Sequence, residues 1–282
     1  MALPARSIAA RAVALLLALC PGTAPSSARA QARDMILATT TSTHDSGLLD
    51  SLLPVFRASS GIEMKVIAVG SGAALAMART GDADAVLVHA PEAERPYVES
   101  ADLVEGVRVM HNDFLLVGPG EDPAGARAAG GLAAALRKVA ALGPFISRGD
   151  GSGTERKELQ LWKAAGIDPL RVARREETGQ GMGATLLVAS ERRGYTLTDR
   201  GTYLALRPRL DLVPLVEGDP TLLNVYHAYV VNPAKHAKVN AAEARAFVAF
   251  LASERAQVMI GSFGTSRFGQ PLFFPDAGKG LP

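Results

Sequence analysis

Ser147-Arg148-Gly149-Asp150-Gly151-Ser152-Gly153-Thr154 follows the short apolar run Pro144-Phe145-Ile146 and opens a helical stretch, an arrangement the chain repeats three more times. Thr39-Thr40-Thr41-Ser42, Gly70-Ser71-Gly72 and Gly179-Gln180-Gly181-Met182-Gly183 are the other three turns. Turns of this kind leave backbone N–H groups unpaired at helix N-termini, where the macrodipole adds partial positive charge and hydroxyls add donors. Arg148 is the only full cation in the four. The pattern implies a small oxyanion held mainly by neutral donors, with Gly181, Met182 and Gly183 contributing from the last turn. The glycines also have a simpler reading, as residues that permit tight turns.

The first thirty residues predict export. Arg6 and Arg11 precede an apolar core from Ala12 to Cys20, and Ala28-Arg29-Ala30 gives an Ala-x-Ala cleavage site before Gln31. The apolar run is shorter than a bilayer span. Leu19 ahead of Cys20 argues against lipid attachment, which needs a small residue there. Cleavage would remove the single cysteine, leaving neither disulfide nor thiol nucleophile. It would also remove three of the 30 basic residues and none of the 28 acidic ones, leaving a formal charge of −1. A general field for nucleic acid or anionic membrane is then absent, so anion selectivity has to come from a local site.

Strands and helices alternate along the rest. Met35 to Thr39, Glu63 to Val69, Ala85 to His89 and Phe114 to Gly118 read as strands, and residues 45 to 60 and 72 to 80 as helices, the first kinked or broken at Pro54. A second unit follows, with helices near 131 to 141, 154 to 165 and 183 to 192 and strands at 144 to 147, 195 to 198 and 212 to 216. Asn224 to Val231 reads as a strand, and Asn240 with Glu243 as a capping box opening a final helix to about Ile260. The fold class is therefore α/β on mainly parallel sheets. Two donor turns fall in each unit, so one ligand touching all four lies in a cleft between domains. The expected division is a signal peptide over 1–30, a discontinuous first domain over 31–117 plus 231–282, and a second over 118–230. Strand hinges near Leu116 to Pro119 and Tyr229 to Asn232 would let the pair close.

Several stretches together resemble the exported tungstate-binding proteins of ABC importers, within the type II periplasmic binding fold. They are Ala38-Thr39-Thr40-Thr41-Ser42-Thr43, Asp45-Ser46-Gly47-Leu48-Leu49-Asp50, Val69-Gly70-Ser71-Gly72, Ala85-Val86-Leu87-Val88-His89-Ala90-Pro91, Asn112-Asp113-Phe114-Leu115-Leu116-Val117-Gly118-Pro119, Ser147-Arg148-Gly149-Asp150, Ser152-Gly153-Thr154 and Leu197-Thr198-Asp199-Arg200-Gly201-Thr202. The resemblance covers nearly the whole chain after the signal and implies oxyanion contacts from Thr40, Thr41, Ser42 and Arg148. Similarity to the wider oxyanion-binding group adds Ser71, Ser152, Gly153 and Thr154. It further implies tungstate, or molybdate, as ligand, a membrane permease and its ATPase as partners, a monomer, no cofactor and no catalysis. His44 and Glu155 depart from the family pattern, and Glu155 brings an acid close to the expected anion.

Tungstate, molybdate and sulfate are fully deprotonated near neutral pH and need only donors, whereas hydrogen phosphate is best served by one acceptor carboxylate. Asp84 and Asp150 are candidates for that acceptor, and Asp150 alternatively pairs with Arg148. Phosphate and sulfate therefore remain alternative ligands. The five histidines show no close metal-ligand spacing and read as satisfied or solvated, and Trp162 reads as core. A secreted hydrolase using the same cleft is the lower alternative: no Gly-x-Ser-x-Gly occurs, and the glycine spacings miss the dinucleotide fingerprint.

Overall fold

A computed structural model describes residues 1–2 and 33–281. The cleavage site and nearly all of the export segment thus lie outside the described residues. Residues 32–282 form one compact unit. Its elements in chain order are β1 (Arg33–Thr40), α1 (Thr41–Asp45), α2 (Leu48–Ser60), β2 (Ile62–Val69), α3 (Ser71–Thr80), β3 (Ala85–Val88), α4 (Pro91–Glu99) and β4 (Leu103–Pro119). There follow α5 (Leu132–Leu142), β5 (Phe145–Ser147), α6 (Gly153–Ala164), β6 (Arg175–Glu177), α7 (Met182–Glu191), β7 (Thr196–Asp199), α8 (Arg200–Leu206) and β8 (Leu212–Val216). The chain closes with β9 (Leu223–Val231), α9 (Ala241–Ala252), α10 (Glu254–Ser262), α11 (Thr265–Phe268) and β10 (Phe274–Pro275).

The sheet is mixed rather than mainly parallel. β1 pairs in parallel with β2, Thr40 opposite Val69, and with β3, Thr39 opposite Leu87. β9 then runs antiparallel to β3 and to the first part of β4, from Leu103 opposite Val231 to Asp113 opposite Leu223. The rest of β4 pairs antiparallel with β7, starting at Phe114 opposite Asp199, and with β8. The reason is the 17-residue length of β4, which lets one strand serve two sets of partners; only its last part reads as a strand from sequence. β5 and β6 form a separate parallel pair.

Two helix expectations change. The break falls at Gly47, whose φ of +77° stops α1 before α2 begins, while α2 runs through Pro54 unbroken. Pro54 and Asp50, whose carbonyl loses its helical donor, both face solvent, so water replaces the missing bond. The long last helix divides at Ser253. Its hydroxyl accepts from Ala256 N at 3.3 Å and donates to the Phe250 carbonyl at 2.6 Å. Ser253→Ala is expected to cost about 1 kcal/mol, a fall of about 2–4 °C in Tm by calorimetry. Asn240 forms no capping box, because its side chain donates to the Asp34 carbonyl instead.

One apolar core gathers Leu52, Phe56, Tyr226, Phe247 and Ile260; another gathers Leu116, Leu136, Trp162, Tyr195 and Leu215. Trp162 is fully buried and meets Phe145 edge-on at 4.9 Å, the core role expected of it. Arg200 lies where β4 changes partners. Its Nε and Nη2 donate to the two Asp113 oxygens at 2.7 and 2.6 Å, while Asp199 caps α8 by accepting from Thr202 N at 2.8 Å. The Asn112-Asp113 and Asp199-Arg200-Gly201-Thr202 stretches thus tie β4 to α8.

Candidate functional site

The parallel register of β1, β2 and β3 puts their C-terminal ends side by side. Thr40, Gly70 and His89 therefore leave neighbouring strands at one edge. Thr40 caps α1 through Oγ1, which accepts from Thr43 N at 3.2 Å, and also lies 2.6 Å from Thr43 Oγ1 and 3.2 Å from Ser42 Oγ. Thr41 and Ser42 are exposed in α1. Ser71 opens α3 behind Gly70, a cap with no side chain, so the first amides of that helix face outward for an incoming acceptor.

The second half supplies Arg148 at the end of β5. Its Nη2 donates to Asp150 Oδ2 at 2.5 Å and its Nη1 to Thr154 Oγ1 at 3.4 Å, while its Nε is buried with no partner among the described residues. Partial burial draws the Asp150 carboxyl upward, but bonds from Ser152 and Arg148 override it and hold its pKa below the ordinary value. Ser152 caps α6, and the acid at Glu155 reaches back past the cap. Ser152 Oγ accepts from Glu155 N at 3.3 Å, and the Glu155 carboxylate folds back onto Gly151 N. Glu155 is thus turned onto the Gly151 amide, which leaves Gly153 and Thr154 N–H at the front of α6.

Gly181 caps α7 without a side chain, and Gly179 N donates to the Arg148 carbonyl at 2.8 Å, which holds the glycine turn beside the arginine. The Met182 side chain is buried in the core, so only its backbone and that of Gly183 face the turn. The expected acceptor Asp84 is far from all of this. Its carboxylate accepts from Ile36 N at 2.7 Å and Asn240 N at 2.6 Å, at the N-terminal end of β3.

The halves meet at His89. A Cβ at Gly153 would lie 3.9 Å from His89 Cε1, so the front of α6 stands against the Thr40 cluster. His89 Nε2 is 3.0 Å from Thr40 Oγ1 and 3.2 Å from Ser42 Oγ. Its Nδ1 is 3.0 Å from Asn224 Oδ1 on β9, and its ring packs on Tyr226 at 4.6 Å. Burial pushes the ring's pKa below the ordinary histidine value, against the opposite pull of Asn224 and Glu94. Of the two roles the sequence allows it, satisfied or solvated, His89 has the first, and its place beside Thr40 and Ser42 is not expected from sequence. One signal was there: His89 ends the strand next to the one that ends in Thr40.

The Thr40 and Ser152–Thr154 turns meet at His89, and Arg148 joins the latter to the Gly179 turn, an arrangement suited to an anion-binding protein. Residues 25–255 match the family model described as PBP superfamily domain. The tungstate-binding protein TupA of Peptoclostridium acidaminophilum is 48% identical over 248 residues, covering 87% of this chain and 86% of that one. TupA of Campylobacter jejuni is 38% identical over 242 residues, covering 84% and 88%. The solved structure of TupA from Desulfovibrio alaskensis G20 superposes with a TM-score of 0.81 at 45% identity, covering 87% of this chain and 100% of the other. The chain belongs to the tungstate-binding TupA family of the PBP superfamily. No helix among the described residues is long and apolar enough to cross a membrane.

Proposed function

We propose that this protein captures tungstate between the turns at Thr40 to Ser42 and Ser71 and those at Arg148, Ser152 to Thr154 and Gly181 to Gly183, and delivers it to the permease of an ABC importer. The observation that carries this reading is Arg148 Nε, a buried cationic donor with no partner among the described residues, on a guanidinium whose Nη1 reaches Thr154 of α6. A site that buries a donor this costly is complete only with an acceptor in place. The nearby carboxylates already serve protein donors: Asp150 accepts from Arg148 and Ser152 N, and Glu155 accepts from Gly151 N. That favours a fully deprotonated oxyanion. Tungstate over molybdate follows the relatives.

The two halves form a clamp. Its crossings are assigned to Asp113–Phe114 in β4 and to the start of β9 at Leu223, because strand partners change there. Both points precede the crossings expected from sequence. The protein acts as a periplasmic monomer after cleavage near Ala30, and transport energy comes from the separate ATPase.

Tungstate at roughly 100 times Kd should raise the melting temperature by about 5–10 °C, since binding to the native state alone adds about 2.7 kcal/mol. Differential scanning calorimetry with tungstate, molybdate, sulfate and phosphate checks it. A larger shift with phosphate than with tungstate would overturn the assignment.

A further inference from the structure

The protonation of His89 is fixed by its neighbours. Asn224 Nδ2 donates to Asn112 Oδ1 at 2.8 Å and to Tyr226 OH at 3.2 Å, which turns Asn224 Oδ1 toward His89 Nδ1. The backbone carbonyl of His89 is a second acceptor for the ring. The neutral ring therefore carries its proton on Nδ1 and presents a lone pair at Nε2. That lone pair faces the Thr40 and Ser42 hydroxyls.

Each hydroxyl has one proton to give. Without ligand, one of the two donates to Nε2. An oxyanion engaging both hydroxyls as donors draws both protons to its own oxygens, and Nε2 is left as an unpaired lone pair beside negative charge. A proton added at Nε2 reverses this. The new N–H donates to Ser42 Oγ, 3.2 Å away, and the Ser42 hydroxyl keeps its own hydrogen for the ligand. Ser42 Oγ has the capacity, because its other contact among the described residues is Thr40 Oγ1 at 3.2 Å, whereas Thr40 Oγ1 is already shared with Thr43 N and Thr43 Oγ1.

We propose that His89 takes up one proton from solution as the oxyanion binds, so that the site captures a dianion and a proton together. The inference rests on the anion-site reading above. The proton adds to Nε2, no other bond changes, and water or buffer supplies it.

The surroundings agree in sign. Burial lowers the ring's pKa, so the empty site holds a neutral ring at neutral pH. Glu94 on α4 and Asp199 ahead of α8 pull the other way. On α6, Lys157 donates to the Leu223 carbonyl next to Asn224, and Arg148 reaches Thr154. Asp113, next to Asn112, is committed to Arg200. An arriving dianion is then the largest new charge at the ring, and it favours the imidazolium.

Titration calorimetry of the purified protein with sodium tungstate at pH 7.5, in HEPES and in Tris, reads the proton directly through the two buffers' different ionisation enthalpies. The observed enthalpy should differ between buffers by an amount equal to uptake approaching one proton. The Kd should rise by up to about tenfold from pH 7.5 to 8.5, the linkage of a single proton. His89→Gln places a permanent amide donor near Nε2, and its tungstate binding should show no proton uptake and a Kd independent of pH. His44→Gln, on the same side of the site, should keep the wild-type uptake. Equal enthalpies in the two buffers with tungstate bound by the wild type would overturn the inference and leave the site reading standing. Uptake that persists in His89→Gln would overturn it too. If tungstate gave neither heat nor thermal shift, the site reading would fall and this inference with it. The wild-type comparison decides the matter even if His89→Gln does not fold.

Discussion

Replacing Arg148 by alanine should weaken tungstate binding by roughly 30-fold to several thousand-fold, or about 2–5 kcal/mol, the range for removing a desolvated, charge-assisted contact. The guanidinium is held in place before ligand arrives. Asp150 takes Nη2 and Thr154 takes Nη1, which fixes the guanidinium while its Nε stays buried and unpartnered among the described residues. Lysine at 148 should recover only part of the loss, because a point charge cannot hold Asp150 and present a second donor edge in one plane. Asp150→Ala should weaken binding less than Arg148→Ala, since it frees the arginine without removing its charge. Titration calorimetry on the three variants gives the order. Wild-type affinity in Arg148→Ala would place the anion away from this turn.

What the sequence made legible was local. Hydroxyl and glycine turns after short apolar runs placed Thr40, Ser71, Ser152 and Gly181 at helix starts, and each stands at or beside a helix cap. Such signals need only neighbouring residues, as does the Ser152 cap on Glu155 N, whose spacing matches the one read at Asn240. The acid that looked misplaced beside an anion turns back onto Gly151 N. Long-range partners were not legible. His89 depends on Asn224, 135 positions away, and Asn224 on Asn112, 112 positions away. The antiparallel return of β9 between β3 and β4 likewise comes from sheet pairing, which no local pattern encodes. Met182 shows the limit at one residue: the sequence put it at a donor turn, and packing sent its side chain into the core.

Arg175→Met should destabilise the fold by about 3 kcal/mol, with a fall in Tm of about 6–12 °C, because it strands a buried carboxylate. Glu158 lies inside α6 with its carboxylate almost wholly buried. Its Oε1 accepts from Arg175 Nε at 3.0 Å and Trp162 Nε1 at 3.2 Å, and its Oε2 from Ser147 Oγ at 2.6 Å. Burial already pushes this carboxyl's pKa up, against the lowering pull of Ser147, Arg175 and Trp162. Without the guanidinium the pKa rises further, so the folded state binds a proton more tightly than the unfolded chain does. The stability contributed by that proton is present at low pH and lost as pH rises through the folded pKa. The deficit of Arg175→Met relative to wild type should therefore shrink as pH falls toward the ordinary carboxylate range. Adding Glu158→Gln should restore much of the loss at neutral pH, since the amide needs no counter-charge, its oxygen still accepts from Trp162 and its NH2 donates to Ser147 Oγ. Because Ser147 directly precedes Arg148, the same network fixes where β5 delivers the arginine, and the single variant should bind tungstate more weakly even where it is fully folded. Thermal melts of the single and double variants across pH check the scheme, and an Arg175→Met protein melting within about 1 °C of wild type at neutral pH would show that the buried carboxylate does not depend on its cation.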